Sequence, residues 1–186
     1  LTMAIIHIET ATTVCSVALS EKGNVIFEKI SFDGPSHASL LGTFIEETVK
    51  ESKKSGLTID AVAVSGGPGS YTGLRIGASM AKGLCFGWNI PLISIPTLEI
   101  MASKVIKQIP VNDLPGSLFC AMIDARRMEV YAAIYNESLR KIRDTEAEIV
   151  TKDTYTSFLE KQKMYFFGNG SSKCKEEVQS SNAFFI

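Results

Sequence analysis

This sequence is short of nearly everything that announces a metal centre or a disulfide framework. It holds two histidines and four cysteines in 186 residues. Cys15, Cys85, Cys120 and Cys174 stand far apart and form no CxxC pair. That spacing excludes a zinc knuckle and argues against a stapled secreted scaffold. Three of the four sit in apolar segments, where a free thiol packs as a small hydrophobe, so a reducing, cytoplasmic compartment is expected. There is no HExxH, and no second histidine one turn beyond His37, because position 41 is Leu41. His7 lies in a β-branched run and reads as a packed core residue. A catalytic zinc or iron site with three protein ligands is therefore hard to assemble. Neither sign of charge predominates: 19 Lys and Arg face 20 Asp and Glu, for a net charge of −1. A free-standing nucleic-acid binder needs a cationic excess to displace counterions, and none exists. The one basic cluster, at residues 139–143, runs straight into acidic residues and reads as a mixed surface. No apolar run approaches the ~18 residues of a membrane span. The first ten residues lack a basic segment and a small-residue cleavage site, so neither a signal peptide nor a membrane partner is expected.

What the sequence does have is a regular α/β grammar. Residues 5–9 are apolar and β-branched, 13–20 alternate, a turn follows at 21–23, and residues 24–32 return, which predicts an antiparallel meander with Glu9 ending its first strand. Ser36, after Pro35, is the expected N-cap of a helix over 36–53. Leu40, Leu41, Phe44, Ile45, Thr48 and Val49 recur on it at helical spacing. A buried strand at 59–65 leads into SGGPGSYTGLRIG (65–77), with a helix expected from Thr72 to Trp88. Another buried strand and a helix opened by Thr97 follow. The expected fold class is α/β, with mixed sheets covered by helices.

Two prolines, a glycine, an Asn and an Asp break the pattern at 109–117. The grammar then restarts: FCAMIDARRMEVYAAIY parallels IIHIETATTVCSVAL, matching Asp124 to Glu9, and MYFFGNGSS parallels VAVSGGPGS. Internal duplication is the sharper reading and coincidence between two similar α/β lobes the blander one. The expected division is residues 1–108 and 109–186, the second lobe shorter.

The loop at 65–77 fails both familiar phosphate motifs. A Walker A loop needs GxxxxGK, and this loop holds no lysine. The dinucleotide fingerprint finds Thr72 at its third position, with no acid about 20 residues on. What remains is physical: glycine N–H groups at a helix N-terminus attract anions, with Gly67, Gly69, Ser70, Thr72 and Arg75 at hand. The competing reading is a tight turn that lets the helix pack closely. Glu9 and Asp124 read either as paired carboxylates or as ordinary strand-end acids.

Taken together, IETATTVCSVAL, HASLL, GGPGSYTGLRIGASMAKGL and DARRMEVYAAIY resemble the TsaB family, bacterial partners in making N6-threonylcarbamoyladenosine at adenosine 37 of tRNA and once labelled glycoprotease or M22 peptidase-like proteins. The resemblance covers residues 3 to about 170. It implies the duplicated two-lobe fold of the actin, Hsp70 and sugar-kinase superfamily. In that superfamily the first turn and the glycine turns face nucleotide, which here would be Glu9, Thr10, Thr12, Gly67, Gly69, Ser70, Asp124, Gly168 and Gly170. Ala11 departs from the superfamily's glycine, and Glu9 from its usual aspartate.

The resemblance further implies a non-catalytic scaffold for the paralogue TsaD, whose HxxxH metal pair would here be His37 and Leu41. A TsaE-type ATPase and, in the protein alone, a homodimer complete the implied partners. The chain itself would require no cofactor, ATP and metal residing on partner subunits, and tRNA would be met only through the complex. A separate reading, apart from the resemblance, is direct tRNA contact through Arg126, Arg127, Arg140 and Arg143 within a complex. The expected partner surface joins His37, Leu40, Leu41, Phe44 and Ile45 on one helix to Gly77, Ala78, Met80, Ala81 and Leu84 on the other, because small residues permit close helix approach; the alternative is that both helices only cover their own sheet. The competing reading is an ATPase or an M22-like peptidase acting on its own.

Overall fold

The computed structural model describes residues 3–32 and 37–186, with side chains from Ser39 onward in the second stretch. The expected N-cap at Ser36 lies outside the described residues. Two compact units divide between Thr97 and Leu98.

In unit 1, alternation in the first thirty residues produces β1 (Ala4–Glu9), β2 (Cys15–Glu21) and β3 (Asn24–Ser31). They pair antiparallel in sequence. The 18-residue helix α1 (His37–Lys54) crosses over to β4 (Ile59–Ser65), which runs parallel to β1. A second crossover, α2 (Tyr71–Trp88), leads to β5 (Leu92–Ile95), parallel to β4. The sheet order is β3-β2-β1-β4-β5. Ile6, Ile8, Val17, Leu19, Val62 and Val64 line one face, closed by Leu41 and Ile45 of α1 and by Ala81 of α2. Ser70 caps α2, its Oγ accepting from the Gly73 N–H at 3.2 Å, and Asn89 ends it in the left-handed region.

Unit 2 repeats this plan. The helix α3 (Thr97–Ile106) leads through a single 3-10 turn (Val111–Asp113) to β6 (Leu118–Asp124), β7 (Glu129–Asn136) and β8 (Lys141–Ile149). The four-residue helices α4 (Thr156–Leu159) and α5 (Ser171–Cys174) flank β9 (Met164–Phe167), and β10 (Ala183–Phe185) closes the sheet. The order β10-β9-β6-β7-β8 maps strand for strand onto the first sheet read in reverse. The antiparallel β6–β7 and β7–β8 pairs and the parallel β6–β9 and β9–β10 pairs match as well. Duplication, rather than coincidence, is the reading this topology carries.

The expected lobe boundary at 108/109 differs from the observed one for a physical reason. Leu98 and Ala102 of α3 pack with Phe119, Ala121, Ile123 and Phe167, so the helix covers the second sheet. The Pro-rich break at 109–117 is only the loop between that helix and β6. The opposite face of the second sheet packs Cys120, Met122, Ile134 and Phe166 against Tyr155, Leu159, Cys174 and Val178. Cys15, Cys120 and Cys174 are buried free thiols and Cys85 is partly exposed. No helix among the described residues is long and apolar enough to cross a membrane.

Candidate functional site

The glycine loop of unit 1 is held between two other segments. On one side, the Gly66 N–H donates to Ile95 O at 2.8 Å, the Gly67 N–H to Thr97 Oγ1 at 3.1 Å, and the Thr97 N–H to Gly67 O at 2.9 Å. On the other, the Ser70 N–H donates to Ala11 O at 2.6 Å. A Cβ at Gly69 would run into Ala11, one at Gly73 into the Thr10 carbonyl, and one at Gly77 into Thr10 Oγ1. The glycines thus let α2 and its leading loop lie flush against the β1–β2 turn. Thr10 and Ala11 are almost fully buried there, and Thr10 Oγ1 has no hydrogen-bond partner.

Glu9 holds that turn. Its Oε1 accepts from the Ala11 N–H at 2.6 Å, and its Oε2 accepts from the Ser65 hydroxyl in a very short bond. Thr12 Oγ1 accepts from the Val14 N–H at 3.3 Å within the same turn. Of the candidate residues in this unit, Glu9, Thr10, Gly69 and Ser70 lie together around the β1–β2 turn, and Gly67 bonds Thr97. Four of the donors nearest an incoming anion, the N–H groups of Gly66, Gly67, Ser70 and Gly73, are already given to protein acceptors. Sequence reasoning missed Ser65 and Thr97. Ser65 was findable, because it ends the strand running parallel to the one that Glu9 ends.

The equivalent place in unit 2 is built differently. Asp124 ends β6, and its N–H donates to Asn169 Oδ1 at 3.0 Å. Its Oδ1 accepts from the Arg126 N–H at 2.9 Å and forms a short ion pair with Lys173. The Lys173 ammonium bonds and the Arg126 amide hold the Asp124 carboxyl below the usual aspartate range. Lys173 Nζ also donates to Arg127 O at 2.7 Å and Glu129 O at 2.6 Å, tying the β6–β7 turn closed. Gly168 and Gly170 pack against the backbone of Met122, Ile123 and Asp124. Lys173 and Asn169 carried no motif signal.

The expected partner surface needs correction. Leu41 and Ala81 are 0% exposed, and Ile45 and Gly77 are buried as well. They close the core over the first sheet, because a helix covering its own sheet shows the same apolar period as one awaiting a partner. Leu40, Phe44, Ala78, Met80 and Leu84 are half-buried. The side chain of His37 lies outside the described residues. On the outer side of α2, Arg75, Ile76, Ser79 and Met80 line an open, largely apolar groove of about 460 Å³. The Arg75 guanidinium stacks 4.0 Å above the ring of Tyr71, which is 69% exposed, and Phe86 is 92% exposed. Of the other arginines singled out, Arg143 turns inward to pair with Glu148. His7 bonds Ser20 Oγ at 2.7 Å through Nε2, and burial lowers its pKa.

Two units, each with a central strand, an antiparallel meander on one side and parallel strands on the other, define a duplicated two-lobe α/β protein with mixed sheets covered by helices. The comparisons with known proteins narrow this. The family model described as TsaD, tRNA N6-adenosine threonylcarbamoyltransferase, matches residues 32–182. The TsaB protein of Escherichia coli, named for tRNA threonylcarbamoyladenosine biosynthesis, is 37% identical over 153 residues, covering 81% of this chain and 63% of that protein. Its Bacillus subtilis namesake is 26% identical over 181 residues, covering 95% and 76%. In Haemophilus influenzae the TsaB match spans 56% of the relative, so this chain covers under two thirds of two of these proteins. The solved structure of YeaZ from Pseudomonas aeruginosa superposes with a TM-score of 0.78 at 23% identity, covering 98% of this chain and 83% of that one. The chain belongs to the TsaB/YeaZ family.

Proposed function

We propose that this chain is a non-catalytic scaffold subunit in the synthesis of N6-threonylcarbamoyladenosine on tRNA, working in the cytoplasm as the partner of a TsaD-type paralogue. The observation that carries the non-catalytic part is the self-satisfaction of the site in unit 1. Glu9 uses both carboxylate oxygens on Ala11 and Ser65, and the N–H groups of Gly66, Gly67 and Ser70 are given to Ile95, Thr97 and Ala11. A group that must release its own hydrogen bonds to take a phosphate starts with a penalty of about 1–3 kcal/mol for each one left unmade. In this reading ATP and metal belong to the TsaD-type and TsaE-type partners, and tRNA is met through the complex. The paralogue docks on α2, over the groove of Arg75, Ile76, Ser79 and Met80 and the flanking Ala78 and Leu84. The chain alone forms a homodimer through the same face.

Co-purification with a TsaD-type protein, followed by a tRNA modification assay omitting each component in turn, tests this. Ala78→Arg is expected to abolish co-elution and modification while leaving the fold intact. Full activity of the TsaD-type protein without this chain would overturn the reading. Leu41→Asp is not a usable probe, because Leu41 is a core residue whose change would unfold unit 1.

A further inference from the structure

The β6–β7 turn carries a feature that scaffolding does not require. Arg126 and Arg127, two consecutive non-glycine residues, both adopt the left-handed region, with φ of 76° and 48°. Glycine or asparagine sits there more easily, and a strained pair of large residues is a pointer toward a site. Both line one depression of about 520 Å³, together with Ala125, Met128, Glu129 and Ile149. Among the described residues neither guanidinium makes a hydrogen bond or an ion pair. The neighbouring carboxylate of Asp124 is neutralised from within by Lys173, which also fixes the turn through Arg127 O and Glu129 O. The turn therefore presents two guanidinium groups that make no hydrogen bond or ion pair, Arg126 still within the field of Asp124, on a backbone already locked in place.

We infer that this turn binds the sugar–phosphate backbone of RNA. Two adjacent guanidinium forks match phosphate oxygens. The depression falls in the range of about 300–1,000 Å³ typical of ligand clefts, larger than a lone phosphate needs. Its apolar walls, Met128 and the 67% exposed Ile149, suit a ribose or base face. Glu129 is the one acid in the lining, and its backbone carbonyl is held by Lys173. A contact of this kind positions the RNA and does not read its sequence. It gives a nearly neutral chain a local cationic contribution within a larger assembly. The inference rests on the proposed role in tRNA modification.

The test measures tRNA affinity of the complex formed with a TsaD-type subunit, by fluorescence anisotropy across a KCl series. Asparagine tolerates the left-handed region, so Arg126→Asn with Arg127→Asn keeps the turn. That double variant is expected to weaken tRNA binding about tenfold and to flatten the log-affinity against log-salt slope by about 1 or more. Arg126→Lys with Arg127→Lys is expected to keep the slope. Unchanged affinity and slope in the asparagine variant would overturn the inference, as would lost affinity with an unchanged slope. Competition by ATP or inorganic phosphate at the concentration where tRNA itself competes would assign the site to a free anion instead. Loss of binding to an acidic peptide but not to tRNA would assign it to a protein. If the wild-type chain fails to co-elute with the TsaD-type subunit, the scaffold reading falls and this inference with it. If co-elution holds and tRNA binding is indifferent to the arginines, only this inference falls.

Discussion

Two buried tyrosines in unit 2 have opposite hydrogen-bonding states. Tyr135 is 0% exposed, its hydroxyl has no partner, and burial pushes its pKa up to about 12. Tyr155 is equally buried but donates to Glu148 Oε1 at 2.5 Å, on a carboxylate that also pairs with Arg143, and the Arg143 guanidinium lies 5.1 Å from the Tyr155 ring. A buried hydroxyl without a partner is a liability, whereas one bonded to a half-buried carboxylate supports that charge. Tyr135→Phe is accordingly expected to be neutral or to stabilise the protein by about 1 kcal/mol. Tyr155→Phe is expected to cost about 2 kcal/mol, because it strips a donor from Glu148. Urea unfolding of the two variants, followed by circular dichroism, separates the cases. Destabilisation of the same size in both would show that ring packing, not the hydroxyl, decides.

At the scale of elements, α2 shows two uses of glycine along one helix. Gly73 faces the Thr10 carbonyl, with no room for a side chain, and Thr10 is fully buried and unable to retreat. Gly83, three turns further on, meets nothing within 4 Å. Gly73→Ala is expected to destabilise unit 1 by about 3 kcal/mol through overpacking. Gly83→Ala is expected to stabilise it by about 0.5–1 kcal/mol through helix propensity alone. Thermal unfolding of both variants tests the assignment, and a stabilising Gly73→Ala would refute the close approach. The helices themselves were legible in the sequence: 36–53 and 72–88 expected, 37–54 and 71–88 observed. The β1 and β6 strand ends at Glu9 and Asp124 were legible too. What α1 covers was not, since Leu41 and Ile45 have the same spacing whether they meet their own sheet or a partner. Nor was the closure of the glycine loop, because its acceptor at Ala11 is a backbone carbonyl, which any residue type supplies. The Lys173 tie was invisible for a related reason: it joins two segments 49 residues apart, and two of its other acceptors are carbonyls.

For the whole molecule, duplication means two sheets with separate hydrophobic cores. Ile6, Val17, Val62 and Leu41 belong to one, while Met122, Ile134, Phe166 and Tyr155 belong to another. The sequence carried the duplication as an echo of strand and turn residues, yet placed its boundary at a proline-rich loop. The destination of α3 is decided by Leu98 and Ala102 reaching Phe119 and Ala121, a pairing that no local pattern records. Separate cores lead to a prediction about how damage spreads. Ile6→Ala opens a cavity in the middle of the first sheet and is expected to cost about 2–5 kcal/mol. Native-state hydrogen exchange should then show protection falling in β1, β2 and β4 while the amides of β6, β7 and β9 keep their wild-type rates, as expected when cooperative units coincide with structural ones. The reciprocal variant, Ile134→Ala, should reverse the pattern. Equal loss of protection in both sheets from either substitution would mean that the two units unfold as one, and that the duplicated cores do not act as independent cooperative blocks.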